Sequence, residues 1–174
     1  MSDERQQRIV LTGFMGAGKS TVAAALARRL NCRAIDLDEI ISQHERQSVP
    51  ALINGSGEAQ FRETETSILR IVLENKTASI IALGGGAWTL ARNRALLEEH
   101  DCLTVWLDAP FELCWQRIVS AKDERPLARD RQSAHKLYDE RRPLYELAAL
   151  RVSAGADRSA DDVALEIIQA LQRG

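Results

Sequence analysis

Nine residues, GFMGAGKST at positions 13–21, restrict what this chain can fold into more than any others. They satisfy G-x-x-x-x-G-K-S/T, the spacing of a phosphate-binding loop. The motif carries meaning only between a strand and a helix, and both flanks are legible. RIVLTG (8–13) is a short apolar run ending in glycine, which predicts a buried strand. KSTVAAALARRL (19–30) is rich in alanine and leucine and predicts a helix. Gly13, Gly16 and Gly18 let the backbone curl with its N–H groups facing inward. With the positive end of the helix, those groups form an anion cradle. Gly16, Ala17, Gly18, Lys19, Ser20 and Thr21 are therefore the expected nucleotide contacts. Lys19 is placed to reach β and γ phosphates, and the Ser20 hydroxyl to hold Mg²⁺.

The rest of the chain alternates between strand and helix patterns. AIDLD (34–38), SIIAL (79–83), LTVWL (103–107) and LRVS (150–153) predict four further strands. Positions 39–74 predict helix, broken at NGSGE (54–58), with Val49, Leu52, Ile53, Ile68, Ile71 and Val72 at helical spacing. RNRALLEEH (92–100) and APFELCWQRIV (109–119) predict helices, the latter with Pro110 in its first turn. SAKDERPLARDRQ (120–132) is charged, has no apolar period, and is expected to be a mobile loop. SAHKLYDERRPLYELA (133–148) predicts two helical pieces around Pro143. SADDVALEIIQALQ (159–172) predicts a closing helix with Ser159 as N-cap and Asp161 and Asp162 at its positive end. The alternation implies one α/β domain, a three-layer sandwich whose central parallel five-stranded sheet is covered on both faces. Ligands in such sheets bind beyond the carboxyl ends of the strands.

Composition excludes several function classes. A net charge of −2 and a pI near 6 give no basic field for nucleic acid. No apolar run approaches the ~20 residues of a membrane helix, and MSDERQQR lacks an apolar signal segment. Cys32, Cys102 and Cys114 are scattered, as are His44, His100 and His135, without metal-ligand spacing. These features predict a cytosolic protein with reduced thiols. NKTA (75–78) has Ala78 where a guanine-binding motif needs aspartate. TVWLDAP ends in Asp108 without the glutamate of motor-type ATPases, so Asp108 reads as the N-cap of the next helix.

Two further features bear on chemistry. In AIDLD, Asp36 and Asp38 are two apart, so an extended backbone points both the same way, toward the phosphate loop. One carboxylate suits Mg²⁺; the other suits orienting an attacking hydroxyl and accepting its proton. In IIALGGGAWT (80–89), three glycines follow a strand. Either a tight turn or close approach of another group to bare backbone accounts for them.

GFMGAGKST, DLDEI, GSGEAQFRETE, LGGGAW, RPLA and ERRPLY, in this order over about residues 8–145, resemble the shikimate kinase family. That resemblance implies a P-loop NTPase type fold similar to nucleoside monophosphate kinases. It also implies a helical substrate-binding insert at about 37–74, a mobile lid at about 120–132, and a cytosolic monomer. The implied reaction is MgATP-dependent phosphorylation of the 3-hydroxyl of shikimate. Arg62 and Arg141 would grip the acceptor carboxylate, the planar guanidinium matching it with two hydrogen bonds. Asp38 would bind ring hydroxyls and orient or deprotonate the nucleophile, and Asp36 would serve Mg²⁺. Gly84, Gly85 and Gly86 would line the acceptor pocket, Arg125 would reach the transferring phosphoryl group, and Arg117 would pack against adenine. The chain departs from the family pattern at Ile53, often phenylalanine, at Trp88, usually smaller, and in RPLA for RPLL. The first two are expected to reshape the pocket wall. Two competing readings remain: a kinase of another small polyol acid such as gluconate, and an ATP-binding regulatory module without turnover.

Overall fold

β1 (Ile9–Thr12) is buried at every residue because it lies at the middle of the sheet. The computed structural model describes residues 7–121 and 126–173. Five strands run in the order β2-β3-β1-β4-β5, with β2 at Ala34–Asp36, β3 at Ile80–Ala82, β4 at Leu103–Asp108 and β5 at Leu150–Ser153. Every pairing is parallel, with Val10 opposite Ile81 on one side and Thr104 on the other. The carboxyl ends of all strands therefore share one edge, and the loops after β1, β2 and β3 converge there.

Helix α1 (Lys19–Leu30) packs on α8 (Ala160–Leu171), burying Val22, Ala25 and Leu26 against Val163, Ala164 and Ile167. The start of α8 is as the sequence predicts. The Ser159 hydroxyl accepts from the Asp162 N–H at 3.1 Å, and the Asp162 carboxylate accepts from the Ser159 N–H at 2.9 Å, a reciprocal capping box. α5 (Ala91–Glu99) and α6 (Phe111–Ser120) follow β3 and β4. Among the described residues no helix is long and apolar enough to cross a membrane.

The structure corrects five expectations. The second strand ends at Asp36, and Leu37 and Asp38 open α2 (Leu37–Glu45). Asp36 is the N-cap, its Oδ1 accepting from the N–H groups of Asp38 at 2.9 Å and Glu39 at 3.4 Å. A capping aspartate followed by two acidic residues favours helix nucleation over two more strand residues. The pleat therefore does not align Asp36 with Asp38; the first helical turn places Asp38 instead. The stretch 39–74 is interrupted twice, giving α3 (Val49–Ser56) and α4 (Glu58–Glu74). The breaks fall at Arg46–Ser48 and at Gly57, whose φ of 86° no ordinary side chain tolerates well.

Pro143 lies inside one continuous helix, α7 (Arg131–Tyr145), rather than between two. It sits in the last turn, and Asp139, whose carbonyl loses its helical donor, is exposed to water. Asp130 caps α7 by accepting from the Ser133 N–H at 2.8 Å, so Arg131 and Gln132 belong to the helix and not to the charged loop. Asp108 caps nothing: Pro110 occupies the N-cap position of α6. Asp108 instead accepts from Arg142 at 2.8 Å and Arg151 at 2.9 Å, tying β4 to α7 and β5.

Candidate active site

The loop between β1 and α1 forms the cradle predicted for it. Gly18, at the N-cap of α1, has φ 95°, and Gly16 has φ 78°. A Cβ on Gly16 would also sit 2.7 Å from the Cys114 carbonyl oxygen of α6, so glycine is required there twice over. Lys19 is buried, and its Nζ donates to the carbonyls of Gly13 at 2.8 Å and Phe14 at 2.9 Å. These bonds wrap the side chain along the loop, toward the space the cradle encloses. The Ser20 hydroxyl donates to the Asp36 carboxylate. Two hard oxygen donors thus meet at the mouth of the loop. Mg²⁺ takes few protein ligands and completes its shell with water and phosphate, so this pair fits it. Among the described residues there is no cluster of three or more His, Cys, Asp or Glu that would form an all-protein cage instead.

Arg117 on α6 donates to the Gly16 carbonyl at 2.9 Å. It stands at the rim of a cleft that Gly16, Ala17, Gly18 and Thr21 share with Arg158 and Ser159 at the start of α8. A nucleotide whose phosphates enter the cradle would extend its base into this cleft.

A second cavity opens on the other side of the loop. Asp38, Arg62, Gly84, Gly85, Gly86 and Arg141 line it, four separate segments of the chain brought together. Val49, Pro50, Ile53 and Phe61 supply an apolar wall, Met15 of the phosphate loop another side, and Pro126 and Leu127 a cover. Ile53 thus lines the cavity, as expected. Arg125 lies outside the described residues, immediately before that cover.

The three glycines are explained by close approach. None of them has a φ in the left-handed region, so no turn geometry demands them. A Cβ on Gly84 would lie 2.7 Å from Asp38 Oδ1, and one on Gly85 would lie 3.3 Å from both Arg141 Nη1 and the Met15 nitrogen. On Gly86 it would overlap the Arg62 guanidinium. The Gly86→Ala variant is therefore expected to push Arg62 off its position. We expect the acceptor KM to rise about tenfold, the equivalent of one lost charged hydrogen bond, with the ATP KM unchanged. Steady-state kinetics with each substrate varied in turn measures this, and an unaltered acceptor KM would contradict the close-approach account.

The two arginines reach the cavity from different helices. The Arg62 side chain, 11% exposed, donates to Glu65 Oε2 at 2.8 Å and approaches Glu58 Oε1 at 3.3 Å. Arg141 is buried and lines the cavity, whereas adjacent Arg142 points elsewhere. Arg142 is held by Asp108 at 2.8 Å with its guanidinium 5.0 Å from the Trp106 ring. One residue along a helix turns the side chain by about 100°, which is why neighbours with identical chemistry separate.

Sequence reading missed Glu65. It is fully buried, lines the cavity, and its Oε1 has no hydrogen-bond partner among the described residues. Burial pushes its carboxyl upward; the Arg62 guanidinium opposes this, and the neighbouring Asp38 charge adds to it. The available signal was spacing: Glu65 shares the face of α4 that buries Phe61, Ile68, Leu69 and Val72. A glutamate on an apolar stripe demands a partner, and Arg62 stands one turn away. Trp88 departs from expectation in the opposite sense. It does not line the cavity; it is buried behind the glycine turn, with Nε1 donating to the Leu144 carbonyl at 2.7 Å.

Comparison with known proteins gives a consistent result. The family model described as shikimate kinase matches residues 15–172. A shikimate kinase of Salinibacter ruber is 38% identical, covering 93% of this chain and 83% of the relative. One from Ruegeria pomeroyi is 37% identical, covering 94% of this chain and 84% of its own length. The solved structure of the shikimate kinase from Acinetobacter baumannii in complex with shikimate superposes with a TM-score of 0.86 at 34% identity. That match covers 96% of this chain and 93% of the other.

Proposed function

Because this chain belongs to the shikimate kinase family, we propose that it transfers the γ-phosphoryl group of ATP to the 3-hydroxyl of shikimate. The products are 3-phosphoshikimate and ADP. The observation that carries this reading is the junction of two sites. A cavity lined by buried Arg141, largely buried Arg62 and an aspartate abuts the phosphate loop through Met15, whose backbone nitrogen lies beside Gly85.

Each residue then has a task. Arg62 and Arg141 clamp the acceptor carboxylate, each charged hydrogen bond contributing roughly 1.5–3 kcal/mol. Gly84, Gly85 and Gly86 let the ring lie against these side chains and the bare backbone. The apolar wall of Val49, Pro50, Ile53 and Phe61 suits the carbon face of a ring better than an open polyol chain. Asp38 receives the ring hydroxyls and orients the nucleophile toward the phosphate loop, accepting its proton as the bond forms. In a loose phosphoryl-transfer transition state, positioning supplies most of this residue's effect.

Gly16, Ala17, Gly18, Ser20 and Thr21 hold the ATP phosphates, Lys19 stabilises charge on the β and γ groups, and Arg117 flanks the base. Ser20 and Asp36 would hold Mg²⁺, which supplies charge neutralisation across those phosphates. Residues 37–74 act as the acceptor-binding insert. The segment 120–130 acts as a lid that excludes water and carries Arg125 to the transferring group. The protein works as a cytosolic monomer.

A coupled ADP-release assay with shikimate, gluconate and nucleoside monophosphates tests this reading. Turnover is expected with shikimate alone. Turnover with gluconate in its place would reassign the acceptor, turnover only with a nucleotide would overturn the polyol-acid reading, and ATP binding without turnover would support a regulatory module.

A further inference from the structure

The two arginines assigned to the acceptor carboxylate come from helices far apart in sequence, yet both are referenced to one short segment. That segment is residues 85–89, the last two glycines and the 3-10 turn Ala87–Thr89 that follows them. On α7, Tyr145 lies one helical turn beyond Arg141 on the same face. Its hydroxyl donates to the Gly85 carbonyl at 2.6 Å. Burial pushes the Tyr145 phenol up to about 12, so it stays a donor across the working pH range. Beside it, Trp88 Nε1 donates to the Leu144 carbonyl at 2.7 Å. Arg94 fixes Trp88 in turn, donating to the carbonyls of Trp88 at 2.8 Å and Thr89 at 2.9 Å.

The arrangement on α4 is parallel. Thr66 lies one helical turn beyond Arg62. Its hydroxyl is 3.0 Å from the Arg62 carbonyl and 2.8 Å from Asn93 Oδ1. Asn93, fully buried, donates through Nδ2 to the Ala87 carbonyl at 2.9 Å. Arg62 is thus connected through Thr66 and Asn93 to Ala87, and α7 is tied beside Arg141 through Tyr145 to Gly85 and through Leu144 to Trp88, all within residues 85–89. These bonds are wholly or partly buried, directional and mutually supporting, so they fix distance more tightly than apolar contact does.

We propose that the segment 85–89 sets the separation of the two guanidinium groups, with Trp88 a positioning residue for Arg141. The proposal rests on the assignment of Arg141 to the acceptor carboxylate. A carboxylate gripped from two sides is sensitive to the span between the grips, so a small shift of α7 weakens acceptor binding without touching the ATP cleft.

Trp88→Phe keeps most of the aromatic volume and removes the indole N–H. We expect it to raise the acceptor KM about fivefold, the loss of one ordinary hydrogen bond, with the ATP KM unchanged. In an Arg141→Lys background the same substitution should change the acceptor KM less than about twofold, because the two residues act through one grip. Tyr145→Phe, which removes only a hydroxyl, should give the same signature and covers the case in which Trp88→Phe folds poorly. Equal rises in both KM values, or full additivity with Arg141→Lys, would overturn the proposal. An Arg141→Lys enzyme with an unaltered acceptor KM would remove the assignment of Arg141 and this inference with it. An elevated acceptor KM in Arg141→Lys beside silent Trp88→Phe and Tyr145→Phe would overturn this inference alone.

Discussion

Lys19→Ala should lower kcat by about 10³-fold at saturating substrates, the scale of losing one preorganised cationic contact to a charge-bearing transition state. The argument is geometric. Lys19 opens α1, is buried, and is curled back by the carbonyls of Gly13 and Phe14. Its charge is therefore already in place when phosphate arrives, and little reorganisation is needed. Truncation also frees those two carbonyls, so Lys19→Met, which keeps the apolar stem, separates loss of charge from loss of packing. Both variants should lose turnover alike, while Lys19→Met keeps the thermal midpoint closer to that of the unaltered protein. A single-turnover measurement with either variant near the normal rate would remove the phosphate loop from the chemistry.

The layered fold was legible because its signals were local. Apolar runs ending in glycine or aspartate marked the strands, and Ser159 with Asp162 marked the start of α8 by chemistry that acts within three residues. The errors arose where two local signals competed. In AIDLD the alternating pattern suggested strand, but Asp36 caps a helix, and the cap won. At Pro143 the usual rule suggested a break. The residue sits so close to the helix end, one turn after exposed Asp139, that the helix continues through it. Asp108 read as a cap because its partners, Arg142 and Arg151, are distant in sequence.

The site divides along the same line. The phosphate loop is contiguous, so its geometry followed from its spacing. The six residues expected to hold the acceptor come from four segments, and only resemblance to a family related them. Residue chemistry alone does not distinguish Arg141 from Arg142; the 100° step between them does. Glu65 escaped notice because the second glutamate in FRETE looks like one more surface charge. Its burial is a property of how α4 packs against α2, α3 and α5.

Glu65 also shapes what removing Arg62 should do. Arg62→Ala deletes one side of the proposed carboxylate clamp, and we expect the acceptor KM to rise about 10²-fold, equivalent to about 3 kcal/mol of charged hydrogen bonding. The ATP KM should not move, since Arg62 stands on α4, away from the nucleotide cleft. Arg62→Lys keeps the charge beside Glu65 but loses the fork, so its acceptor KM should fall between the two. The substitution to alanine also removes the only ion-pair partner of buried Glu65 among the described residues. The Glu65 carboxyl, already raised above its ordinary value of 4.5, then loses the Arg62 charge that had been holding it down. A carboxyl whose folded pKa exceeds its unfolded one contributes stability that is complete below the unfolded value and is lost as pH rises through the folded value. Relative to the unaltered protein, Arg62→Ala should therefore lose further thermal stability as pH rises past the value Glu65 has in the unaltered protein, itself raised above 4.5, and a Glu65→Gln change added to it should abolish that slope. A pH-independent difference in midpoint between Arg62→Ala and the unaltered protein would show that Glu65 is not held by Arg62.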